Sequence, residues 1–299
     1  MSDPCRVWLD AVRGRVLKNG ITGSAVAWSR RTDDGLALVA SATHTLGEGW
    51  FGPTATTIAT ALALPEQQGT LRLYVPPADG SPSLTELSPL YSLFHLGIPA
   101  PENTAMLRTV RPRHDAFIGL TDRTRITYDD GPFPESPDRV AGLVPLYDPR
   151  DHTRTDPLIA QPAANDAVIL VGHPQDTTMF PHGAFATGNV LSDADATAAI
   201  ATLAAAGDEE GSIPYDAEAE LLVVGDAVAG MSGGGAFALD GTWLGVMVRA
   251  SDAQPAFGNL RIVRVVRATY LAAEVQHAYA ALPVSQRISF APYLDPVLE

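Results

Sequence analysis

One serine lies within a cluster of glycines in the segment AGMSGGGAF, residues 229–237. Glycine loses more backbone freedom on folding than any other residue, so four glycines around Ser232 require a reason. Three interpretations compete: a tight turn, a phosphate-binding loop, and a loop that exposes a nucleophilic hydroxyl beside backbone N–H groups. A phosphate-binding loop usually ends in Lys and Ser or Thr, which this segment lacks, and the chain has one lysine, Lys18.

A serine hydroxyl becomes a nucleophile when a general base removes its proton and a third group orients that base. His44 ends the apolar run LALVASATH, and Asp115 begins the apolar run DAFIGL. The order His44, Asp115, Ser232 is one of the few known for this constellation. A histidine or an aspartate at a strand end can equally be a structural residue, and His114 could be mistaken for the base.

The letters G-M-S-G-G also match the G-x-S-x-G motif of α/β-hydrolases. That motif needs a strand, a turn and a helix around the serine, with the acid and the histidine further along the chain. After Ser232 the only histidine is His277, within a predicted helix, and the next residues have a strand–turn–strand pattern. The α/β-hydrolase interpretation therefore fails on both requirements.

The elements that must position these residues are mostly short strands. Apolar runs bounded by Gly, Pro, Asp or Ser recur along the chain, which is typical of an all-β barrel or sandwich. They cover residues 23–30, 35–44, 70–77, 115–122, 166–174, 183–192, 219–226, 235–241 and 242–251. Helical spacing predicts a short N-terminal helix over 4–18, an inserted helix within 193–211, and a C-terminal helix over 268–282.

Composition limits the classes of function. The 299 residues are 46% hydrophobic and 18% charged, which is typical of a globular protein. A net charge of −14 disfavours nucleic acid and membrane partners, and no run has the length of a membrane span. A single cysteine, Cys5, and an N-terminus without an apolar signal segment favour the cytoplasm. Metal-ligand spacings are missing, so we expect neither a metal nor a cofactor.

Together these segments resemble the trypsin-like (chymotrypsin-fold) serine peptidases. LVASATHTLG is similar to that family's TAAHC segment, DAFIGL to its DIALI segment, and GDAVAGMSGGGAF to its D-x-x-x-G-D-S-G-G-P loop. TWLGVMVRAS and FGNLRIVRVVRATYLAAEV resemble the strands and the helix that follow. The resemblance extends from about residue 20 to about residue 282.

The resemblance implies an all-β fold of two six-stranded antiparallel β-barrels, with the short N-terminal helix, the helical insert and the C-terminal helix added. We expect residues 1–20 to form an N-terminal extension and residues 21–145 to form the first barrel. Residues 155–299 would form the second barrel and the C-terminal helix. The two barrels would make one peptidase domain.

The resemblance also implies catalytic roles. His44 would act first as general base and then as general acid, Asp115 would orient its ring, and Ser232 would attack the scissile carbonyl. The backbone N–H groups of Gly230 and Ser232 would form the oxyanion hole, and a glycine suits a peptide that must turn its N–H toward the substrate.

In this family the residue six positions before the nucleophile lies at the base of the primary pocket. Here that residue is Asp226, whose carboxylate would select Arg or Lys in the substrate. Glutamate-specific relatives often have a histidine at the position of Met247, so methionine there argues against an acidic preference.

The pocket walls of the family correspond to Val248, Arg249, Ala250 and Gly258. Ala250 would narrow the entrance. Arg249 could pair with Asp226 and neutralise it.

Secreted relatives place an aspartate before the nucleophile to bind a newly cut N-terminus, and Met231 occupies that position here. We therefore expect no activation by N-terminal cleavage. The resemblance, with the low lysine content, implies a bacterial serine endopeptidase that cleaves one specific protein partner in defence or signalling. Two alternatives stay open: a non-catalytic binding module with the same fold, and an esterase that uses the same triad.

Overall fold

The structure is a computed structural model. It describes residues 16–19, 23–28, 36–46, 72–75, 85–95, 112–122, 159–176, 178–180, 183–285, 287–288 and 291. Within these ranges most of the regular secondary structure is β-strand, as the sequence predicts.

The second half of the chain forms a closed six-stranded antiparallel barrel. Its strands are β7 (Ala167–Gly172), β8 (Ala184–Val190), β9 (Glu220–Gly225), β10 (Gly235–Ala238), β11 (Trp243–Ala250) and β12 (Arg261–Arg267). They pair in the order β10-β11-β12-β9-β8-β7, and β7 pairs with β10 to close the barrel. The strands are rich in Val, Leu and Ile because most of their residues are buried.

The first half forms a second sheet. Its strands are β1 (Val16–Asn19), β2 (Gly23–Ala27), β3 (Leu36–Ala42), β4 (Arg72–Val75), β5 (Thr85–His95) and β6 (Ala116–Asp122). The order is β1-β2-β3-β6-β5-β4, and Lys18 and Asn19 of β1 pair with Tyr74 and Leu73 of β4. For the positions of His44 and Asp115 the important pairing is β3 with β6, which runs in register from Leu36–Asp122 to Ala42–Ala116.

Two α-helices accompany the described strands, α1 (Asp193–Ala205) and α2 (Ala268–Ala281). The Ser192 side chain caps α1 by accepting a hydrogen bond from the Asp195 N–H, which satisfies a backbone donor that the helix leaves unpaired. Leu271 and Val275 of α2 are fully buried against the barrel. Neither helix has both the length and the apolar composition that a membrane crossing requires.

The two sheets share one hydrophobic core. Val26, Trp28 and Ile118 from the first half belong to the same buried cluster as Trp243 and Val248 from the second. The rings of Trp28 and Trp243 meet edge to face, with their centroids 5.0 Å apart. This packing fixes the position of the first sheet against the second.

The inserted helix within 193–211 and the C-terminal helix are confirmed, with bounds of 193–205 and 268–281. The predicted helix over 4–18 is wrong at its end, because residues 16–19 pair as a strand with β2 and β4; its residues 4–15 lie outside the described ranges. Strand β5 was not expected, since its sequence TELSPLYSLFH contains a proline and several polar residues.

Candidate active site

Strand pairing brings His44 and Asp115 together although they are separated by 71 residues. The C-terminal end of β3 pairs with the N-terminal end of β6, where Ala42 lies opposite Ala116. His44 follows β3 in the 3₁₀ turn Thr43–Leu46, and Asp115 immediately precedes β6. Antiparallel pairing therefore places the residues just beyond these two strand ends side by side.

The Asp115 carboxylate accepts two hydrogen bonds from His44. One oxygen accepts from the His44 backbone N–H at 2.9 Å, and the other lies 2.9 Å from Nδ1 of the ring. Asp115 is fully buried, whereas the His44 side chain is 32% exposed. With Nδ1 bonded to the carboxylate, Nε2 is the ring nitrogen left to exchange a proton with another group.

The charge on Asp115 also determines the acidity of His44. Burial lowers the pKa of the imidazole, but the charge of Asp115 and its hydrogen bond together outweigh burial. The pKa of His44 is therefore raised above its ordinary value of 6.5. A raised pKa makes the neutral ring a stronger base toward a hydroxyl.

Ser232 lies in the loop between β9 and β10, and close approach of other backbone requires glycine there. Gly230 has φ +100°, and a Cβ on it would come within 2.4 Å of the Gln175 nitrogen. Gly233 has φ +87°, and a Cβ on it would come within 2.0 Å of the Ser24 carbonyl oxygen. Both positions combine left-handed backbone with no room for a side chain.

Backbone amides in this loop alternate between paired and unpaired. The N–H groups of Met231, Gly233 and Gly234 donate to carbonyl oxygens at 2.7–3.1 Å. The N–H groups of Gly230 and Ser232 have no acceptor among the described residues. Two unpaired amides on either side of Met231 are donors for an anionic oxygen, as an oxyanion hole requires.

Ser24 on β2 holds this loop against the first sheet. Its N–H donates to the Ser232 carbonyl at 2.7 Å, and its hydroxyl donates to the Gly230 carbonyl at 2.8 Å. Ser41, three residues before His44, donates its hydroxyl to the Ser24 carbonyl at 2.6 Å. The loop that carries Ser232 is thus anchored to the two strands β2 and β3, and β3 leads into His44.

No hydrogen bond joins Ser232 Oγ to His44 within the described part of the chain. Such catalytic hydrogen bonds are often long before substrate binds and tighten in the complex. Within the described residues the link between the Ser232 loop and His44 runs through Ser24 and Ser41, on the strands β2 and β3.

A cavity of about 190 Å³ opens beside Ser232. Its polar lining consists of Ser232, Arg249 and Arg261. Its remaining lining residues are apolar: Ala227, Val228, Ala229, Met231, Met247, Ala250 and Val263. Of the predicted pocket residues, Arg249 and Ala250 line the cavity, whereas Val248 is buried in the shared core and Gly258 ends a 3₁₀ turn away from it.

The structure places Asp226 outside this lining. Its carboxylate lies 3.3 Å from Arg261 Nε, and 61% of its side chain is exposed. Asp226 is therefore neutralised by an arginine, as the sequence allowed, but the arginine is Arg261 and not Arg249. The cavity presents two cationic side chains and no carboxylate among the described residues.

Arg249 belongs to a buried network of charges on the far side of the cavity wall. Its Nε donates to Glu210 at 2.7 Å, and Glu210 lies 2.9 Å from Arg264 Nε. Arg264 is fully buried and binds both carboxylate oxygens of Glu220, at 2.9 and 3.1 Å. Burial raises the pKa of Glu220 to about 7, although Arg264 opposes this effect.

The network reaches His44 electrostatically. The charge of Arg249 lowers the pKa of His44, and the charge of Glu210 raises it. Glu210 lies in the 3₁₀ turn Glu209–Ser212 that follows α1. The helical insert thus contributes a carboxylate to the surroundings of the general base.

Sequence reasoning missed Ser24, Ser41, Glu210, Arg261 and Arg264. The strand RIVRVVR held one usable signal, because an arginine inside an otherwise buried strand must find anionic partners. The sequence DEEG around its partner Glu210 gives no comparable signal that this carboxylate is buried. His173 is buried, and its backbone N–H donates to the Ser24 hydroxyl at 2.8 Å.

Neither a metal centre nor a second catalytic cluster emerges from the residues that the structure covers, where no three His, Cys, Asp or Glu side chains group as metal ligands. The side chain of His114, the alternative base, lies outside the described part.

Comparison with known proteins gives matches at the level of structure only. No protein-family model matches the chain, and neither does any curated protein sequence. A Ser-to-Ala mutant of Rv3671c from M. tuberculosis H37Rv, in an inactive form, is 14% identical with a TM-score of 0.43, covering 95% of this chain and 97% of that chain. The inactive form of Rv3671c protease is 12% identical with a TM-score of 0.42, covering 92% and 96%.

The active form of Rv3671c protease from M. tuberculosis is 14% identical with a TM-score of 0.41, covering 92% of this chain and 86% of that chain.

Proposed function

We propose that the chain is a serine peptidase in which Ser232 is the nucleophile, His44 the general base and Asp115 the residue that orients His44. The observation that carries this proposal is that the amides of Gly230 and Ser232 have no acceptor among the described residues, in a loop anchored to the strands that lead to the His44–Asp115 pair. A structural turn has no need to leave two amide donors unpaired around a serine.

The reaction proceeds in two halves. Ser232 Oγ attacks the substrate carbonyl carbon while its proton moves to His44 Nε2, and the carbonyl oxygen gains negative charge that the amides of Gly230 and Ser232 stabilise. His44 then returns the proton to the leaving amine as the C–N bond breaks, which gives an acyl-enzyme. Water attacks the acyl carbon, giving its proton to His44; the Ser232 Oγ–C bond then breaks to release the acid, and His44 returns that proton to Ser232 Oγ.

The proposed fold for this reaction is two six-stranded antiparallel barrels that make one peptidase domain. The pairing of β4 with β1 supports closure of the first sheet, and the shared Trp28–Trp243 contact supports a common core. The catalytic base and its partner come from the first unit, and the nucleophile comes from the second. The sequence predicts bounds of 21–145 and 155–299, and we propose that the first barrel begins earlier, at residue 16, because strand β1 (Val16–Asn19) pairs with β2 and β4.

The sequence-based preference for Arg or Lys rests on Asp226 as a pocket carboxylate. The Asp226–Arg261 pair and the cationic lining of the cavity give no support to that preference. The substrate class is therefore argued separately below.

The proposal is tested with a fluorophosphonate probe, which labels an activated serine. We expect Ser232 to be labelled in the intact chain, and His44→Gln to abolish labelling while the circular dichroism spectrum stays unchanged. Ser285→Ala serves as a matched control, since Ser285 is exposed and lies beyond α2. Failure of the folded wild-type protein to react would favour a non-catalytic binding module.

A labelled protein can still be an esterase. Comparing hydrolysis of matched peptide amide and ester substrates separates the two activities, and we expect cleavage of both. Ser232→Ala should lower kcat by about 10⁶-fold on each substrate. An intact rate in Ser232→Ala would remove Ser232 from the mechanism.

The proposed setting is a cytoplasmic bacterial protease that cuts one dedicated protein partner in defence or signalling. It is supported by the single cysteine, the acidic net charge and the low lysine content of the sequence. Incubation with proteins encoded beside it should yield one discrete cleavage, and cutting of all of them at many sites would contradict this setting.

A further inference from the structure

Three ion pairs stand at the cavity, and in each the arginine lines the cavity while its carboxylate does not. Arg261 lines the cavity, whereas its partners Asp226 at 3.3 Å and Asp252 at 3.8 Å do not and are mostly exposed to water. Arg249 lines it too, whereas its partner Glu210 lies behind the wall against Arg264. Among the described residues, a ligand in the cavity therefore meets guanidinium groups before it meets any carboxylate.

Arg261 is held so that part of its guanidinium remains available. Its Nε pairs with Asp226 at 3.3 Å, and its Nη1 donates to the Ser251 carbonyl at 2.8 Å. Its Nη2 has no acceptor among the residues that the structure describes. Two contacts thus fix the plane of the group, and the third nitrogen can donate to a ligand at little further cost in side-chain entropy.

The contrast with Arg264 supports this reading. Arg264 is fully buried, and its three nitrogens all lie against carboxylates or carbonyl oxygens of Glu210, Ile213 and Glu220. Arg264 is a structural cation, whereas Arg261 keeps an unused donor at the edge of a cavity.

We propose that Arg261 is a specificity-determining residue, and that the cavity receives the acidic side chain of a Glu or Asp residue whose carbonyl Ser232 attacks. This inference rests on the proposed function and names its substrate class. It reverses both sequence-based expectations, the basic preference from Asp226 and the argument against an acidic preference from Met247.

The chemistry of the cavity lining favours an acidic side chain strongly over a basic one. The rest of the cavity lining is apolar apart from Arg249 and Ser232. A carboxylate in such surroundings gains a charge-assisted hydrogen bond from Arg261, and a second guanidinium stands nearby. A lysine or arginine side chain there would be repelled by like charge and would leave its own donors unpaired. A cavity of about 190 Å³ has room for a side chain of glutamate's size.

The first experiment measures binding, so that it does not depend on catalysis. Peptide amides that differ only in their last residue, Glu, Gln, Leu or Arg, are titrated into Ser232→Ala by calorimetry. We expect the Glu peptide to bind about 10–100-fold more tightly than the Gln peptide, which has the same shape without the charge. Equal binding of Glu and Gln, or tighter binding of Leu or Arg, would overturn the proposal.

The second experiment changes the two members of the pair separately, in the Ser232→Ala background. Arg261→Met should remove the preference for Glu over Gln, while Asp226→Asn should keep or increase it because Arg261 loses a competing anion. Arg287→Met is the control for loss of a cation elsewhere and should change nothing. If Asp226→Asn instead weakens the Arg peptide selectively, Asp226 is the specificity residue and the proposal is wrong.

Cleavage by the wild-type chain separates this inference from the proposed function. Labelling of Ser232 with cleavage after Arg or Lys would retain the peptidase and overturn the acidic pocket. Selective binding of the Glu peptide without any labelling or hydrolysis would retain the acidic pocket and overturn the peptidase.

Discussion

The two sides of the candidate site are built on different principles. The catalytic side consists of His44 and Asp115, which lie just beyond the ends of two paired strands and make two hydrogen bonds to each other. The pocket side depends on Arg249 and its charged neighbours, which come from β9, β11, β12 and a 3₁₀ turn. The catalytic side depends on the register of one pair of strands, whereas the pocket side depends on several segments that are distant in sequence and pack against one another.

This difference indicates how each side of the site should respond to mutation. A residue at a strand end is positioned by the ladder of backbone hydrogen bonds behind it. A charge buried in a network is positioned by its partners, and removing one partner leaves the others unpaired in a medium that penalises them. Mutations on the catalytic side should therefore damage rate, and mutations on the pocket side should damage stability and selectivity.

The largest effect is expected on the catalytic side. Asp115→Asn should lower kcat by about 10⁴-fold, because the amide no longer stabilises the protonated ring and favours the wrong tautomer. The melting temperature should change much less than the rate. Steady-state kinetics and calorimetry measure the two quantities, and the control is Asp240→Asn in an exposed turn. A loss of rate below tenfold would show that Asp115 is a structural residue.

The corresponding mutation in the network should show the reverse pattern. Arg264→Leu leaves Glu210 and Glu220 without their shared cation, and we expect it to lower the free energy of unfolding by about 3–5 kcal/mol. Urea denaturation measures this loss, with Arg287→Leu as the control at a position distant from the network. Stability equal to that of wild type would mean that the network contributes nothing to the fold.

The nucleophile loop lies between the two sides and should respond in both ways. Gly230→Ala forces a Cβ toward the Gln175 nitrogen and disturbs an oxyanion donor, so we expect kcat to fall about 10²–10³-fold. Gly207 also has positive φ, +76°, but an added Cβ would meet nothing within 4 Å. Gly207→Ala therefore carries similar backbone strain without the clash. Equal losses of activity in the two variants would assign the effect to strain alone.

The smallest effect concerns pH and couples the two sides. Activity requires the neutral imidazole, and the pKa of His44 is raised above 6.5, so kcat/KM should fall as pH drops through a value above 6.5. Because Glu210 raises that pKa, Glu210→Gln should move the acid limb to lower pH. Glu209→Gln, at the exposed neighbouring position, is the matched control and should leave the limb in place.

Stability should depend on pH in the opposite sense. A raised pKa means that the folded chain binds the His44 proton more tightly than the unfolded chain does. This contribution to stability is fully present below the unfolded pKa of about 6.5 and is lost as pH rises through the folded pKa. Denaturation at several pH values, with His44→Gln for comparison, measures it. The neutral form of His44, which the proposed activity requires, therefore contributes less to the stability of the fold than the protonated form does.

The sequence predicted the strand that leads to His44, the strand that follows Asp115 and the second-half strands, because all of them depend on local patterns. The apolar run before His44 and the one after Asp115 are strands, and the glycines around Ser232 mark a loop pressed against other backbone. Strand β5 was not predicted because polar and apolar residues do not alternate along its proline-containing sequence as they do in a half-buried strand.

The pocket could not be predicted in the same way. Asp226 stands at the position that the resemblance assigns to the pocket base, but its environment depends on Arg261, 35 positions further along the chain. Likewise Arg249 pairs with Glu210, which belongs to the helical insert. The spacing of apolar residues in the insert predicts a helix but does not predict where that insert packs on the barrel. Charge pairing across strands is a property of tertiary structure, and a single sequence does not encode it as a spacing.

The position of Ser24 has a consequence for the proposed activity. A hydroxyl and an amide from the first sheet hold the backbone at Gly230 and Ser232, so the second half on its own lacks these two contacts to its serine loop. We therefore expect a chain severed between its halves to show the proposed activity only when the pieces reassociate. Competence for chemistry is in this way a property of the assembled whole.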